Sequence, residues 1–320
     1  MSAPNPAVPS GHDVSPGSLG ASGGGSAPLR DDLLLLVDGH SMAFRAYYAL
    51  PPTLTSPAGE PIQAVYGFLG MLFRVLEQHR PRLLGLTFDQ GRPFRHDLFD
   101  AYKAGREDIP EDIGQQVTQL RRLLTAMNAF QVAGAPFEAD DYIATLTQQA
   151  VDAGLEVLIL SGDRDLFQLV GPRVRVIYPI KGVQDAAIYD PAMVEARFGV
   201  PPRQLTDWKA LVGDSSDNIP GVKGIGEKGA AGLLQQHGDL DGIYAALQQL
   251  PAGMRAKLEA GRDLARLSHS LAALRFDAPT DLDLDALAWR YPRQAVTDLM
   301  RAEFGFESTI KRLPAAWAEG

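Results

Sequence analysis

Three short apolar runs constrain this chain more than any other feature, because each one delivers an aspartate. Residues 33–37 are unbroken Leu and Val and end in Asp38. Residues 83–88 repeat the pattern before Asp89, and residues 156–160 repeat it again, reaching Asp163 after Ser161 and Gly162. Continuous apolar runs of this length suit strands buried on both faces, as in a parallel sheet. Helical periodicity lies between them, over 64–78, 114–127 and 139–153, and a fourth strand is expected over 174–178. Strand and helix in alternation predict an α/β fold with a parallel-sheet core over about 31–190. From 191 onward the pattern changes to short helices, over 191–198, 202–211, 229–236, 240–250 and 261–270, with no strong strand between them. A helical second region over 191–320 is therefore expected. Residues 1–30 are Pro, Gly, Ser and Ala with almost no large apolar side chain; they cannot bury enough surface to offset their ordering entropy and are expected to be a disordered extension.

In open α/β sheets the carboxyl ends of the strands are where ligands bind. A single Asp there serves equally well as a turn former or helix cap. Asp38, Asp89 and Asp163 together, with Asp165 two residues beyond, are harder to explain in that way. Glu138, Asp140 and Asp141 add acids at a helix start, where they also complement the helix dipole. Asp214 and Asp217 lie in a turn-rich loop. If these acids converge, they must protonate or recruit cations. Hard oxygen donors without a His–Cys pattern select Mg²⁺ or Mn²⁺, and a polyacidic site holding two ions roughly 3.5–4 Å apart suits phosphodiester hydrolysis. Convergence itself is not visible in a sequence.

Immediately after the last acids comes Gly221-Val222-Lys223-Gly224-Ile225-Gly226-Glu227-Lys228. It lacks the Gly-Lys-Ser/Thr ending of a phosphate loop. It is either a plain helix connection with glycines at positive φ or a loop whose amides and lysines meet a nucleic-acid backbone independently of base sequence; Lys223 and Lys228 favour the second. The segment 92–106 interleaves Phe94, Arg95, His96, Tyr102, Lys103 and Arg106. Such a mixture suits single-stranded nucleic acid, through stacking and phosphate neutralisation, and suits a solvated loop equally well.

The net charge of −9 argues against a protein that simply coats nucleic acid, although the distribution of charge matters more than its sum. Cysteine is absent, which excludes disulfides, zinc–thiolate sites and a thiol nucleophile and suits a reducing cytoplasm. No run is long enough to span a bilayer, and no signal peptide is apparent, so a membrane partner is not expected.

Taken in order, Leu-Val-Asp-Gly-His (36–40), Ala-Val-Tyr-Gly-Phe (64–68), Phe-Asp (88–89), Phe-Arg-His (94–96), Tyr-Lys-Ala-Gly-Arg (102–106), Glu-Ala-Asp-Asp (138–141), Gly-Asp-Arg-Asp-Leu (162–166) and the block 213–228 closely resemble the 5′ nuclease domain found in bacterial DNA polymerase I. Phage 5′ exonucleases and flap endonucleases are more distant relatives. The resemblance implies a PIN-like 5′ nuclease core with a helical arch, placed at about 92–112, and a helix–three-turn–helix element at about 204–238. It implies a structure-specific 5′-3′ exonuclease and flap endonuclease in replication or repair, leaving 5′-phosphate and 3′-hydroxyl ends. By position, Asp38, Asp89, Glu138, Asp140, Asp141, Asp163, Asp165, Asp214 and Asp217 become metal-site acids. Lys103 and Arg106 become the catalytic cations at the scissile phosphate. Arg95, Tyr102, Gly221, Lys223, Gly224, Gly226 and Lys228 become DNA contacts. In relatives the glycine element can also hold K⁺ through backbone carbonyls. Gly229 stands where relatives often have Thr, which removes one hydroxyl contact. The implied partners are DNA with 5′ flaps, 5′ ends or strand junctions and a DNA polymerase in cis or in trans, for a monomeric protein. Two rival expectations are a branched-DNA-binding module that no longer cleaves, which would lack metal acids, and an RNA-directed PIN-like nuclease, which would not need the glycine element.

Overall fold

The computed structural model describes residues 28–105, 110–181 and 185–319. The expected disordered extension falls mostly outside them. The first strand, β1 (Arg30–Asp38), runs through the middle of a six-stranded sheet and leads into α1 (Gly39–Ala49). After α2 (Gln63–His79) come β2 (Pro81–Thr87), the short α3 (Arg95–Leu98), α4 (Glu111–Ala126), β3 (Phe130–Val132), α5 (Ala139–Asp152) and β4 (Glu156–Leu160). β5 (Val174–Lys181) and β6 (Asp185–Tyr189) complete the sheet in the order β3-β2-β1-β4-β5-β6. Every pairing is parallel except β5 with β6. The α/β class expected from the sequence is borne out.

The apolar runs explain this layering. Leu33, Leu35 and Val37 point into the core beneath α1, α2 and α4, whereas Leu34 and Leu36 point to the opposite core with α5 and the later helices. Alternation with a period of two thus serves two cores, so both faces of β1 must be apolar. Each such leucine is fully buried, which is worth about 1.5–3 kcal/mol of apolar transfer.

The second region follows as α6 (Pro191–Phe198), α7 (Leu205–Val212), α8 (Glu227–His237), α9 (Leu240–Ala245), α10 (Ala252–Ala260) and α11 (Arg262–Ala272). α6 starts with Asp190 capping the Met193 amide and stops at Gly199 in the left-handed conformation. The helical expectation holds here, but not through to the end of the chain. α12 (Leu284–Leu287), β7 (Tyr291–Pro292), α13 (Arg293–Leu299), α14 (Glu307–Ile310) and β8 (Ala318–Glu319) return to the α/β core. Trp289 Nε1 donates to the Met127 carbonyl at 2.7 Å and Trp317 Nε1 to the Pro81 carbonyl at 2.9 Å. Trp289 stacks on Tyr291. A helical unit spanning all of 191–320 is therefore corrected: its last part is a strap over the first layer, held by buried aromatics whose N–H groups find core carbonyls.

Candidate metal centre and nucleic-acid interface

The sheet order reverses beside β1, and the carboxyl edge there collects the acids. Asp38 closes β1 and caps α1, accepting from the Ser41 amide at 3.0 Å and from Ser161 Oγ at 2.7 Å. The turn can be this tight because residue 39 is glycine: a Cβ there would lie 2.2 Å from the Phe88 ring. Asp89 follows β2. Its amide donates to His40 Nδ1 at 2.9 Å, and its carboxylate accepts from the Ala139 amide at 2.8 Å at the start of α5. Asp140 lies in the first turn of α5. After β4, Ser161 Oγ accepts from the Asp163 amide, and Asp163 accepts from the Asp165 amide at 2.8 Å. Four chain segments thus bring Asp38, Asp89, Asp140, Asp163 and Asp165 to one edge.

Their shared field is what unites them. Burial and the neighbouring Asp89 charge push Asp38 up to about 7. Burial, with the charges of Asp163, Asp38, Asp165 and Asp89, raises Asp140 well above the usual carboxylate range. Asp165 is also pushed up to about 7, by burial and by Asp163 and Asp217, against the opposing pull of Lys209. Among the described residues no three carboxylates already form a closed metal-binding group. The donor set nevertheless fits divalent cations: it is oxygen-only, it runs from buried Asp38 to exposed Asp89, and Asp38, Asp140 and Asp165 are disfavoured as bare anions.

Lys209 of α7 was not singled out in the sequence. Its ammonium pairs with Asp165 and, at 2.7 Å, with Asp214. Burial alone would lower its pKa, and the two carboxylates outweigh that and raise it. The only sequence signal was a lysine set between Trp208 and Ala210 in an otherwise apolar helix stretch. His40, which fixes the Asp89 backbone, and Ser161, which bonds Asp38, were likewise missed as positioning groups.

A second acidic group is already neutralised. Arg95 is 3% exposed. It donates to Glu138 at 2.7 Å, to both Asp141 oxygens at 2.8 and 2.9 Å, and to the carbonyls of Leu271 and Ala273 at the end of α11. One guanidinium therefore joins the carboxylates at the start of α5 to the unsatisfied carbonyls at the end of α11, where a cation suits the dipole. Asp141 has no exposed surface and also accepts from the Glu138 and Arg275 amides. Two expectations are corrected on these grounds: Arg95 is a buried clamp and not a DNA contact, and Asp141 is its partner and not an open metal ligand. Tyr102 is corrected too. It is 3% exposed, and its hydroxyl lies 3.2 Å from Glu138 and 3.3 Å from Asp217, so no face is open for stacking on substrate. Glu138 is held by Arg95 and by Lys103, whose amide also donates to the Asp217 carbonyl. Arg106 and most of the expected arch tip, 106–109, lie outside the described residues.

The glycine element runs from α7 to α8. Asp214 and Ile219 exchange two backbone bonds of 2.8 Å, and the Val222 amide reaches the Leu211 carbonyl. Val222 and Ile225 are buried, while Lys223, Gly224 and Gly226 are exposed on the loop and Lys228 is exposed in the first turn of α8. Gly226 caps α8 from an extended conformation, leaving the first amides of that helix facing outward. Gly221 is different. It is buried at φ +63, and a Cβ would lie 2.4 Å from the Gly213 nitrogen, so it serves backbone packing and not phosphate approach. The Gly224 carbonyl accepts from Lys257 Nζ at 2.9 Å. A monovalent cation at that carbonyl would compete with an ammonium that already supplies the charge.

Residues 33–199 match the family model described as 5′-3′ exonuclease, N-terminal resolvase-like domain, and residues 200–295 match 5′-3′ exonuclease, C-terminal SAM fold. The chain belongs to the 5′-3′ exonuclease family. Curated relatives include DNA polymerase I of Chloroflexus aurantiacus, 43% identical over 290 residues that cover 88% of this chain and 31% of that protein. DNA polymerase I of Bacillus caldotenax is 41% identical, over 89% of this chain and 33% of that protein. The chain thus spans about a third of the length of these relatives. Among solved structures, the T5 D15 protein co-crystallised with metal ions is similar in fold, with a TM-score of 0.61 and 19% identity over 88% of this chain and 96% of that one. The catalytic core of Rad2 in complex with DNA substrate is similar at a TM-score of 0.59 and 18% identity, over 89% and 91% of the two chains. No helix among the described residues is long and apolar enough to cross a membrane.

Proposed function

We propose that this chain is a structure-specific 5′ nuclease that hydrolyses DNA phosphodiesters at flaps, 5′ ends and strand junctions. The observation that carries the proposal is the convergence of carboxylates at the carboxyl edge of the sheet, where neighbouring charges and burial raise Asp38, Asp140 and Asp165. Asp38, Asp89, Asp140 and Asp163 would hold one divalent cation, and Asp165, Asp214 and Asp217 would serve a second. When bound, Mg²⁺ or Mn²⁺ would lower the pKa of water and neutralise charge on the attacking and leaving oxygens. The chain's own residues do the rest. Ser41 and Ser161 fix Asp38, and His40 with the Ala139 amide fixes Asp89. Lys209 holds Asp165 and Asp214 together. Lys103, tethered through Glu138 beside the cluster, would offset charge on the transition-state phosphate. The exposed loop bearing Lys223, Gly224 and Gly226, with Lys228 in the first turn of α8, would hold the duplex by its backbone. A polymerase, in cis or in trans, is the proposed partner, since the relatives extend well beyond the matched third.

Cleavage of a 5′-flap DNA duplex tests this reading directly. Activity should be absent in EDTA and restored by Mg²⁺ or Mn²⁺ but not by Ca²⁺, whose looser geometry holds the phosphate less productively. A matched RNA flap should be the poorer substrate. Undiminished cleavage in excess chelator would exclude the metal mechanism.

A further inference from the structure

Between the helical region and the acidic edge lies a cleft of about 590 Å³, lined among others by Arg164, Arg197, Phe198, Trp208, Asp165 and Asp214. Its size falls in the range that encloses a small organic ligand. One end is the Asp165–Lys209–Asp214 group of the metal centre. The other end is aromatic and cationic. Phe198 meets Trp208 edge-on, with centroids 5.2 Å apart, and the Arg197 guanidinium lies 5.3 Å from the centre of the Phe198 ring. Neither Arg164 nor Arg197 forms an ion pair with a described residue, and both line the cleft. Trp208 is 7% exposed, and its indole N–H has no partner among the described residues. A buried donor without a partner is an uncommon feature that calls for an explanation.

We infer that this cleft is a subsite for one unpaired nucleotide, taking base and phosphate together, next to the phosphate that is cut. The inference rests on the nuclease reading and locates part of its substrate. Away from Asp165 and Asp214, the two guanidinium groups disfavour a bare cation as the occupant. A simple anion would have no use for the aromatic pair. A nucleotide uses both ends: its base packs on Phe198 with Trp208 beneath, and its phosphate meets Arg164 and Arg197. Aromatic packing accepts any base, so the subsite should carry little sequence preference. A phosphate joined to that nucleotide falls toward Asp165 and Asp214.

Calorimetric titration of the full chain with thymidine 5′-monophosphate in Mg²⁺ tests the subsite, since a mononucleotide has no bond for the nuclease to cut. Saturable binding is expected, together with a change in tryptophan emission that disappears in Trp208→Phe. The other tryptophans, Trp289 and Trp317, are fully buried on the far layer and provide a constant background. Arg197→Ala, an exposed change that should leave folding intact, should weaken the nucleotide roughly tenfold through loss of one charged contact. Thymidine alone and inorganic phosphate alone should each bind much more weakly. No binding of the nucleotide at millimolar concentration overturns the inference. So does phosphate or thymidine alone binding as well as the nucleotide, or Arg197→Ala binding as well as the parent chain. Flap cleavage run in parallel separates the two readings: cleavage without nucleotide binding removes the subsite and keeps the nuclease, whereas failure to cleave any flap in Mg²⁺ removes the nuclease reading whatever the titration shows.

Discussion

Two acidic groups sit side by side at the edge of the sheet, and their electrostatics are opposite. Around Asp38 and Asp140 the carboxylates face each other, and protonation is favoured. Around Glu138 and Asp141 the same residue types are saturated by Arg95, which also ties α11 to α5. Lys209 stands at the border, pairing with one acid after β4 and one in the glycine element. Charge alone therefore does not single out the proposed metal site. What singles out its part around Asp38 and Asp140 is charge that the fold leaves unneutralised.

The sharpest way to break this comparison is to remove one acid from the unneutralised group. Asp140→Ala or Asp163→Ala should lower single-turnover cleavage at saturating Mg²⁺ on the order of 10³-fold or more. Flap-DNA affinity should change far less, because most of it comes from phosphate contacts elsewhere. A variant with near-normal turnover would take its residue out of the centre. The neutralised group should fail in a different way. Arg95→Met leaves buried carboxylates unpaired and should cost about 3–5 kcal/mol of stability, read from chemical denaturation. If Arg95→Met were as stable as the parent chain but bound DNA weakly, Arg95 would return to the DNA interface.

How far the sequence foretold this contrast depends on how local the cause is. β1, β2 and β4 were legible because burial on both faces leaves a continuous apolar run and nothing else. β3, three residues of intermediate exposure, is too short to carry a period, and β6 is an antiparallel edge whose apolar run, residues 186–189, is short and alanine-rich. The acids at the strand ends were legible one by one, whereas their partners were not. Arg95 and Tyr102 are interleaved with other basic and aromatic residues, and that composition is the same for a loop that meets DNA and for a clamp that is buried. What distinguishes them are carbonyls 176 and 178 positions away. Lys209 meets an acid 44 positions away, beyond the reach of any spacing rule.

Acidity offers a gentler test of the unneutralised group. Asp38 and Asp165 are pushed up to about 7 in the folded chain, well above the usual value near 3.9. Their contribution to metal-free stability is thus fully present below about pH 4 and is lost as pH rises through about 7. A divalent cation binds the charged form and opposes that loss. The rise in melting temperature on adding Mg²⁺ should therefore be small near pH 5 and largest near pH 8. A rise independent of pH would mean that these acids do not bind the ion. The smallest expected effect lies on the glycine element. Lys228→Ala should weaken duplex binding about equally for all sequences and reduce the salt dependence by roughly one unit of slope, without slowing the maximal cleavage rate. A slower maximal rate with unchanged affinity would move that loop to the reacting bond.

The strap over the first layer has a consequence in time. Trp317 bonds a carbonyl 236 positions earlier, and Trp289 one 162 positions earlier. The α/β layer is therefore the first part of the molecule to be synthesised and the last to be finished, since its apolar face near Leu84 and Met127 stays open until the helical region has been made and the strap has come back. Long-range closure of this kind is slow, because loop entropy is lost before the contacts form. A chain halted within the helical region would hold Asp38, Asp89, Asp140, Asp163 and Asp165 on a layer that is still uncovered, and it should aggregate where the chain through residue 319 stays soluble.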